Sequence, residues 1–62
     1  MKLRLREARQ RKGLSIRGLA AKAKVGFSTV YLIETGKRAP RLQTLEKLAK
    51  ALRVPVTDLL GK

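Results

Sequence analysis

The sequence lacks the two residue types that most often build catalytic and metal sites. Its 62 residues include no cysteine and no histidine, and only four carboxylates. Disulfides, thiolate or imidazole metal ligands and imidazole acid–base chemistry are therefore excluded, and the acids are too few for a carboxylate cage. Without a pair of nucleophile and base, we expect a protein that is not an enzyme and holds no metal and no cofactor.

Long apolar runs are also absent. No stretch approaches the ~20 apolar residues of a membrane-spanning helix, and residues 1–12 lack the apolar segment of a secretory signal. These residues are rich in arginine, but they continue directly into patterned sequence and are interpreted as the first helix. We expect a single domain, residues 1–62, in the cytoplasm with the nucleoid and not on a membrane.

Acidic residues are scarce beside basic ones. The chain has 16 lysines and arginines against four acids, a formal net charge of +12. Such charge repels itself in a folded chain, and a polyanionic partner balances it. Nucleic acid is the first candidate and an anionic membrane surface the second. The alternative, a solvated surface of the kind found in thermostable proteins, predicts more glutamate than is present.

Glycine and proline divide the chain into short segments with helical periodicity and no strand-like alternation. Gly13 is placed to end the first segment, about 2–12, and Ser15 to cap the second. The clearest amphipathic segment runs from Leu42 to Leu52, and a last helical turn follows Pro55. We predict an all-α, compact bundle of four to five short helices. The expected buried stripes of the second and fourth helices are Ile16, Leu19, Ala20 and Ala23, and Leu42, Leu45, Leu48, Ala49 and Leu52.

The third segment, about 27–35, has two candidate buried faces. Val30 and Ile33 define one of them. Phe27, Val30, Tyr31 and Glu34 define the other. Periodicity alone does not choose between these faces.

The order of these segments resembles the lambda-repressor/Cro-like helix-turn-helix domains of phage and bacterial regulators. The resemblance extends from about Leu3 to Leu60, and no short piece of it is diagnostic alone. The matching pieces are KGLS at 12–15, LA at 19–20, Val25, IETGKRAP at 33–40, TLEKLAKAL at 44–52 and DLL at 58–60. The resemblance implies that the second helix crosses the DNA backbone, that the third enters the major groove, and that Val30 and Ile33 are core.

The resemblance also implies which third-helix residues face the groove. It places Phe27, Ser28, Tyr31, Leu32 and Thr35 on or near the groove side. Thr29 is added as a hydroxyl able to hydrogen-bond to a base, which makes six expected base or groove contacts. Serine and threonine hydroxyls suit base hydrogen bonds, whereas Phe27, Tyr31 and Leu32 suit thymine methyl groups or sugars. Two alternatives stay open. Phe27 and Tyr31 complete a small core in the first, and Tyr31 and Leu32 form a protein-contact patch in the second.

A basic loop follows the third helix. Lys37, Arg38 and Arg41 are expected to hold phosphates beside the groove, which fixes register without reading sequence. Arg17 is a further phosphate candidate, and Lys22 and Lys24 are weaker ones. The alternative is an exposed basic loop without a partner.

Two pairs of residues are candidates for structural contacts. In relatives, the positions of Arg9 and Glu34 can form a largely buried ion pair between the first and third helices. The alternative is two surface charges of little energetic weight. Val56 and Leu60 are candidates for a homodimer contact on DNA, and the alternative is that they close the core.

The sequence departs from the family pattern at several positions. Lys24 stands where the turn often has glycine, so the turn is expected to be strained or closed differently. Ile16 replaces a frequent glutamine that in relatives can help to contact phosphate. Phe27 and Leu32 stand where polar side chains are common.

We therefore predict a sequence-specific double-stranded DNA-binding transcriptional regulator, acting as a repressor, with the third helix in the major groove. The alternative is an antitoxin-like or other protein-interaction module. It would use the apolar surfaces around Tyr31 and Leu32 and on the C-terminal helix. A cationic membrane-surface helix is disfavoured because glycines and prolines interrupt the chain.

Overall fold

Four α-helices and a short 3₁₀ turn make up the fold in the computed structural model, which describes residues 3–60. They are α1 (Leu5–Arg11), α2 (Ile16–Ala23), α3 (Phe27–Glu34), α4 (Leu42–Leu52) and the 3₁₀ turn Val56–Leu59. The predicted all-α bundle is confirmed, and α4 has the predicted bounds. Within residues 3–60 the β-structure is limited to an isolated bridge between Leu3 and Leu60.

The first helix is shorter than predicted. It begins at Leu5, whereas the predicted start, Lys2, lies outside the described residues. The reason is that Leu3 and Arg4 pair with the end of the chain instead of continuing the helix. The Arg4 backbone N–H donates to the Leu59 carbonyl at 2.9 Å. This pairing ties the N-terminal end of α1 to the 3₁₀ turn.

The turn from α1 to α2 follows its local sequence. Gly13 has a φ of +71°, in the left-handed region that favours glycine. Its N–H donates to the Gln10 carbonyl, and the N–H of Leu14 donates to the Arg9 carbonyl. Ser15 caps α2 as predicted, since its hydroxyl accepts from the Gly18 N–H at 2.9 Å. Both ends of this turn thus satisfy helix backbone groups that would lack partners.

The turn between α2 and α3 closes through a strained residue. Lys24 has φ 58° and ψ 43°, the left-handed conformation. The Val25 N–H then donates to the Ala20 carbonyl at 3.0 Å, which satisfies the end of α2. Of the two expected possibilities, the turn is strained rather than closed differently. A side chain in this conformation costs about 1 kcal/mol.

The core lies between all four helices and the 3₁₀ turn. α2 packs on both α3 and α4, and the 3₁₀ turn packs on α1 and α4. Val30 and Ile33 are buried, so the first candidate face of α3 is the correct one. The buried residues are Leu5, Leu19, Ala20, Ala23, Val30, Ile33, Leu45, Leu48, Ala49, Leu52 and Leu59.

Two residues predicted to lie in buried stripes are less buried than predicted. Leu42 is 65% exposed, and Ile16 is only half-buried. Each is the first residue of its helix, and of the two only Ile16 packs against the core cluster. Periodicity assigns a face to a residue but does not say where along the helix the neighbour begins.

None of the helices within residues 3–60 combines the length and the apolar character that crossing a bilayer requires.

Candidate nucleic-acid interface

The residues that α3 buries in the core determine which of its residues face outward. Val30 and Ile33 point into the core, which leaves Phe27, Ser28 and Tyr31 exposed on the helix surface. Thr35, which follows α3 directly, is exposed as well. α3 packs chiefly on α2, and the exposed residues of its outer face recur along the helix.

The six predicted groove residues do not all share that face. Thr29 is half-buried and lines a shallow groove with Arg38, Arg41 and Thr44, beside the loop. Leu32 is half-buried rather than exposed. The structure thus places Thr29 beside the phosphate candidates and away from the two aromatic side chains.

Phe27 and Tyr31, called here the aromatic pair, are partly open to solvent. Each is 45% exposed, so neither completes the core. Their rings are nearly parallel, with centroids 6.4 Å apart and planes inclined by 10°. The pair is one helical turn apart on α3, the spacing at which side chains meet. The result is an ordered apolar surface on the outside of α3.

Arg17 of α2 lies against this aromatic pair. Its guanidinium carbon is 5.3 Å from the centroid of the Phe27 ring, within the range of a cation–π contact. Arg17 is exposed and was predicted as a phosphate contact. Phe27 therefore holds the guanidinium at the junction of α2 and α3. This contact was not predicted, because it depends on how the two helices are packed.

Thr35 has a hydroxyl that is already engaged in its own helix. The hydroxyl donates to the Tyr31 carbonyl at 2.9 Å, with the Leu32 carbonyl 3.3 Å away. A hydroxyl whose proton is used in this way keeps its lone pairs free. Thr35 can therefore accept a hydrogen bond from a ligand but does not readily donate one.

The basic loop, residues 36–41, directly follows the outer face of α3. Gly36 has a φ of +78°, which turns the chain. The N–H groups of Lys37 and Arg38 both donate to the Leu32 carbonyl, at 2.9 and 3.2 Å. These bonds fix the start of the loop against the end of α3. Lys37, Arg38 and Arg41 are exposed, as a phosphate contact requires.

The positive charge lies almost entirely on the surface. Within residues 3–60, every lysine and arginine except Arg9 is exposed, Lys22 and Lys24 included. The ion pairs formed by the described residues all involve a single acid, Glu34. The net charge of +12 is what remains after all four acids are counted, so internal pairing does not reduce it.

Arg9 and Glu34 form a two-pronged ion pair between α1 and α3. Arg9 donates through Nε to Glu34 Oε2 at 2.7 Å and through Nη2 to Oε1 at 3.0 Å. Its Nη1 donates to the Leu14 carbonyl at 2.8 Å. The hydrogen bonds to Glu34 raise the pKa of Arg9 above its ordinary value, against the opposite effect of burial.

Arg6 is a second partner of Glu34 that sequence reasoning missed. Its Nε lies 3.3 Å from Glu34 Oε1. Its side chain is 58% exposed, whereas those of Arg9 and Glu34 are 11% and 1% exposed. The spacing of Arg6 and Arg9, three residues apart on one helix, was the available signal.

The two candidate dimer residues are not free apolar surface. Val56 and Leu60 are half-buried, and both pack against the core cluster. Leu59, between them, is fully buried. Only part of each candidate side chain is available to a second copy of the chain.

Comparisons with known proteins give one consistent family. A family model described as helix-turn-helix matches residues 5–59. The chain is 40% identical over 57 residues to the HTH-type transcriptional regulator DdrOP3 of Deinococcus deserti, covering 92% of this chain and 44% of that protein. It is 35% identical over 58 residues to the cryptic phage CTXphi transcriptional repressor RstR of Vibrio cholerae, covering 94% and 52%. The chain spans about half the length of the curated relatives it matches.

A solved structure is similar over nearly the whole chain. The restriction-modification controller protein C.AhdI from Aeromonas hydrophila superposes with a TM-score of 0.89 at 40% identity. The match covers 92% of this chain and 86% of that one. The family-model match, over residues 5–59, includes the helix pair α2 and α3 and the loop that follows it.

Proposed function

Since this chain belongs to the lambda-repressor/Cro-like helix-turn-helix family, we propose that it binds double-stranded DNA and regulates transcription. One observation carries the proposal beyond the family resemblance. The uncovered face of α3 is continuous with an exposed basic loop whose start is hydrogen-bonded to α3. A helix flanked in this way enters the major groove while its flanks hold the phosphates.

The groove-reading residues of this proposal lie on the outer face of α3. Ser28, Tyr31 and Thr35 bring hydroxyls to base edges, and Phe27 brings an apolar edge. Leu32 contributes the part of its side chain that remains open. Thr29, on the loop side of the helix, contacts the sugar–phosphate backbone rather than a base.

The phosphate-binding residues flank that face on two sides. Lys37, Arg38 and Arg41 follow α3 on one side, and Arg17 precedes it on α2. Each neutralises one phosphate and releases the counterions condensed there, which makes the affinity depend steeply on salt. Lys22 and Lys24 lie further along α2 and its turn and add to the attraction at longer range.

The mechanism of regulation is occupancy of DNA, without catalysis. A chain bound at a promoter excludes other proteins from that DNA and so acts as a repressor, in the cytoplasm with the nucleoid. Two copies related by a twofold axis would place their α3 helices one DNA turn, about 34 Å, apart on a palindrome. The open parts of Val56 and Leu60 are the proposed contact between the copies.

Selection followed by titration tests this proposal. Duplexes enriched from a random library are compared with scrambled duplexes by fluorescence anisotropy at several salt concentrations. We expect at least ~10³-fold preference for the selected sequence. We also expect an affinity that falls by roughly 10³–10⁵ between about 50 and 200 mM salt. Absence of binding to any duplex at the lower salt concentration would refute the proposal.

A second candidate function rests on the exposed aromatic pair. An ordered apolar surface on α3 also suits an antitoxin-like module that captures a protein partner. Equal binding to every duplex, with steep salt dependence, would favour this role. A sequence preference that is lost on removal of Tyr31 would favour the DNA-reading role.

A further inference from the structure

The recognition surface has few side chains that form bidentate hydrogen bonds to bases. The α3 sequence FSTVYLIE contains no arginine, lysine, asparagine or glutamine. Its one charged residue is Glu34, whose side chain is 1% exposed and forms an ion pair with Arg9. The side chains that usually distinguish guanine and adenine in the major groove are therefore missing from this helix.

The same surface offers ordered apolar area instead. The rings of Phe27 and Tyr31 lie nearly parallel, and each is 45% exposed. Arg17 sits over the Phe27 ring and restrains it from the side of α2. The feature of a base pair in the major groove that apolar contact recognises is the C5-methyl group of thymine. 5-Methylcytosine carries a methyl group at the same ring position.

The neighbouring hydroxyls do not distinguish these two bases strongly. Thymine presents an acceptor, O4, where cytosine presents a donor, the N4 amino group. Ser28 and Tyr31 carry hydroxyls that both donate and accept. Thr35 keeps its lone pairs free to accept, because its proton is bonded to the Tyr31 carbonyl. Either pyrimidine can therefore be satisfied, and the methyl group becomes the discriminating feature.

We propose, resting on the DNA-binding function above, that Phe27 and Tyr31 form a reader of pyrimidine C5-methyl groups in the major groove. Binding to a site then increases when the contacted position carries thymine or 5-methylcytosine rather than their unmethylated counterparts. Arg17 is a positioning residue for Phe27. Methylation of cytosine in a site would thus regulate its occupancy by this chain.

Removing or adding single methyl groups in the DNA tests the proposal. In the selected duplex, each thymine in turn is replaced by deoxyuridine, which removes only the methyl group. At the sensitive positions, a cytosine paired with guanine is then compared with 5-methylcytosine. We expect deoxyuridine to weaken binding about fourfold at one or two positions of a half-site, the factor for burial of one methyl group. We expect 5-methylcytosine to bind tighter than cytosine by a similar factor there.

Protein variants connect the methyl effect to the aromatic pair. In Phe27→Ala and Tyr31→Ser, deoxyuridine and thymine duplexes should bind equally, whereas Lys50→Gln should keep the full difference. Both substituted rings are half-exposed, and a helical circular dichroism spectrum checks each fold. If either variant fails to fold, the duplex series on the unaltered chain still decides.

The outcomes separate this proposal from the function on which it rests. Sequence preference without any effect of deoxyuridine or 5-methylcytosine would overturn the methyl reader and leave the DNA-binding function standing. An effect of deoxyuridine without one of 5-methylcytosine would restrict the reader to thymine and overturn regulation by methylation. Failure to bind any duplex would overturn both.

Discussion

Arg9 holds Glu34 with two hydrogen bonds, at 2.7 and 3.0 Å, and thereby joins α1 to the end of α3 across 25 positions of sequence. The third Arg9 bond, to the Leu14 carbonyl, anchors the turn before α2. One guanidinium thus connects α1, the α1–α2 turn and α3. The 62-residue chain has no cysteine for a disulfide, so α1 and α3 are joined by non-covalent contacts such as this one.

Glu34→Gln should destabilise the fold strongly. The substitution leaves Arg9, only 11% exposed, without a carboxylate partner. We expect the free energy of unfolding to fall by about 3 kcal/mol in chemical denaturation. Since the pKa of Arg9 is raised in the folded chain, the pair's contribution is fully present below the ordinary pKa of arginine, neutral pH included, and is lost only as pH rises through the raised pKa.

Arg6→Gln is the matched control for this pair. Arg6 contacts the same carboxylate, but its side chain is 58% exposed and the contact is longer, at 3.3 Å. We expect a loss of less than about 1 kcal/mol. If Glu34→Gln and Arg6→Gln lowered the free energy of unfolding equally, burial of the ion pair between Arg9 and Glu34 would not be the source of its stabilising effect.

Lys24→Gly should stabilise the chain. Lys24 occupies the left-handed region at φ 58°, which costs a side chain about 1 kcal/mol and glycine little. The extra freedom of glycine in the unfolded chain offsets part of that gain. We expect a small rise in thermal midpoint. Lys24→Ala removes the same charge without relieving the strain, so it should not show the rise.

Removal of single charges from the basic loop should change the salt dependence of DNA binding. Lys37→Gln, Arg38→Gln and Arg41→Gln should each weaken binding about equally for all sequences and reduce the salt slope by about 1. Lys50→Gln, in the last turn of α4, carries the same change of charge and should leave the slope almost unaltered. A slope reduced as much by Lys50→Gln would mean that the attraction is not localised at the loop.

Two copies of the chain should occupy one palindromic duplex. Sedimentation of the complex at saturating protein should give two chains per duplex, with half-sites one DNA turn, about 34 Å, apart. A single chain on each duplex, together with a monomeric chain in the absence of DNA, would refute the dimer contact proposed for Val56 and Leu60.

Local chemistry accounts for most of what the sequence predicted correctly. Gly13, Ser15 and the bounds of α4 follow from capping and periodicity, which depend on neighbours in sequence. The predictions that were wrong concern residues whose surroundings are set by neighbours in space. Leu42, the first residue of α4, is 65% exposed, and Arg4 caps α1 while its N–H donates to the Leu59 carbonyl.

The candidate site likewise has features that local sequence predicts and features that depend on how the helices pack. The exposed basic loop was predictable because it follows a helix end and carries adjacent cationic residues. The separation of Thr29 from Tyr31 was not, since it depends on where α3 sits relative to the loop. The contact of Arg17 with Phe27 likewise depends on the packing of α2 against α3.

Mapping the DNA contacts by NMR tests the central claim most directly. Backbone amide shifts of the ¹⁵N-labelled chain are followed while the selected duplex is added. We expect the largest changes in α3 and residues 36–41, with smaller ones around Arg17. Changes centred on α1 and the 3₁₀ turn, with α3 unaffected, would contradict the claim that α3 and the basic loop form the DNA-binding surface.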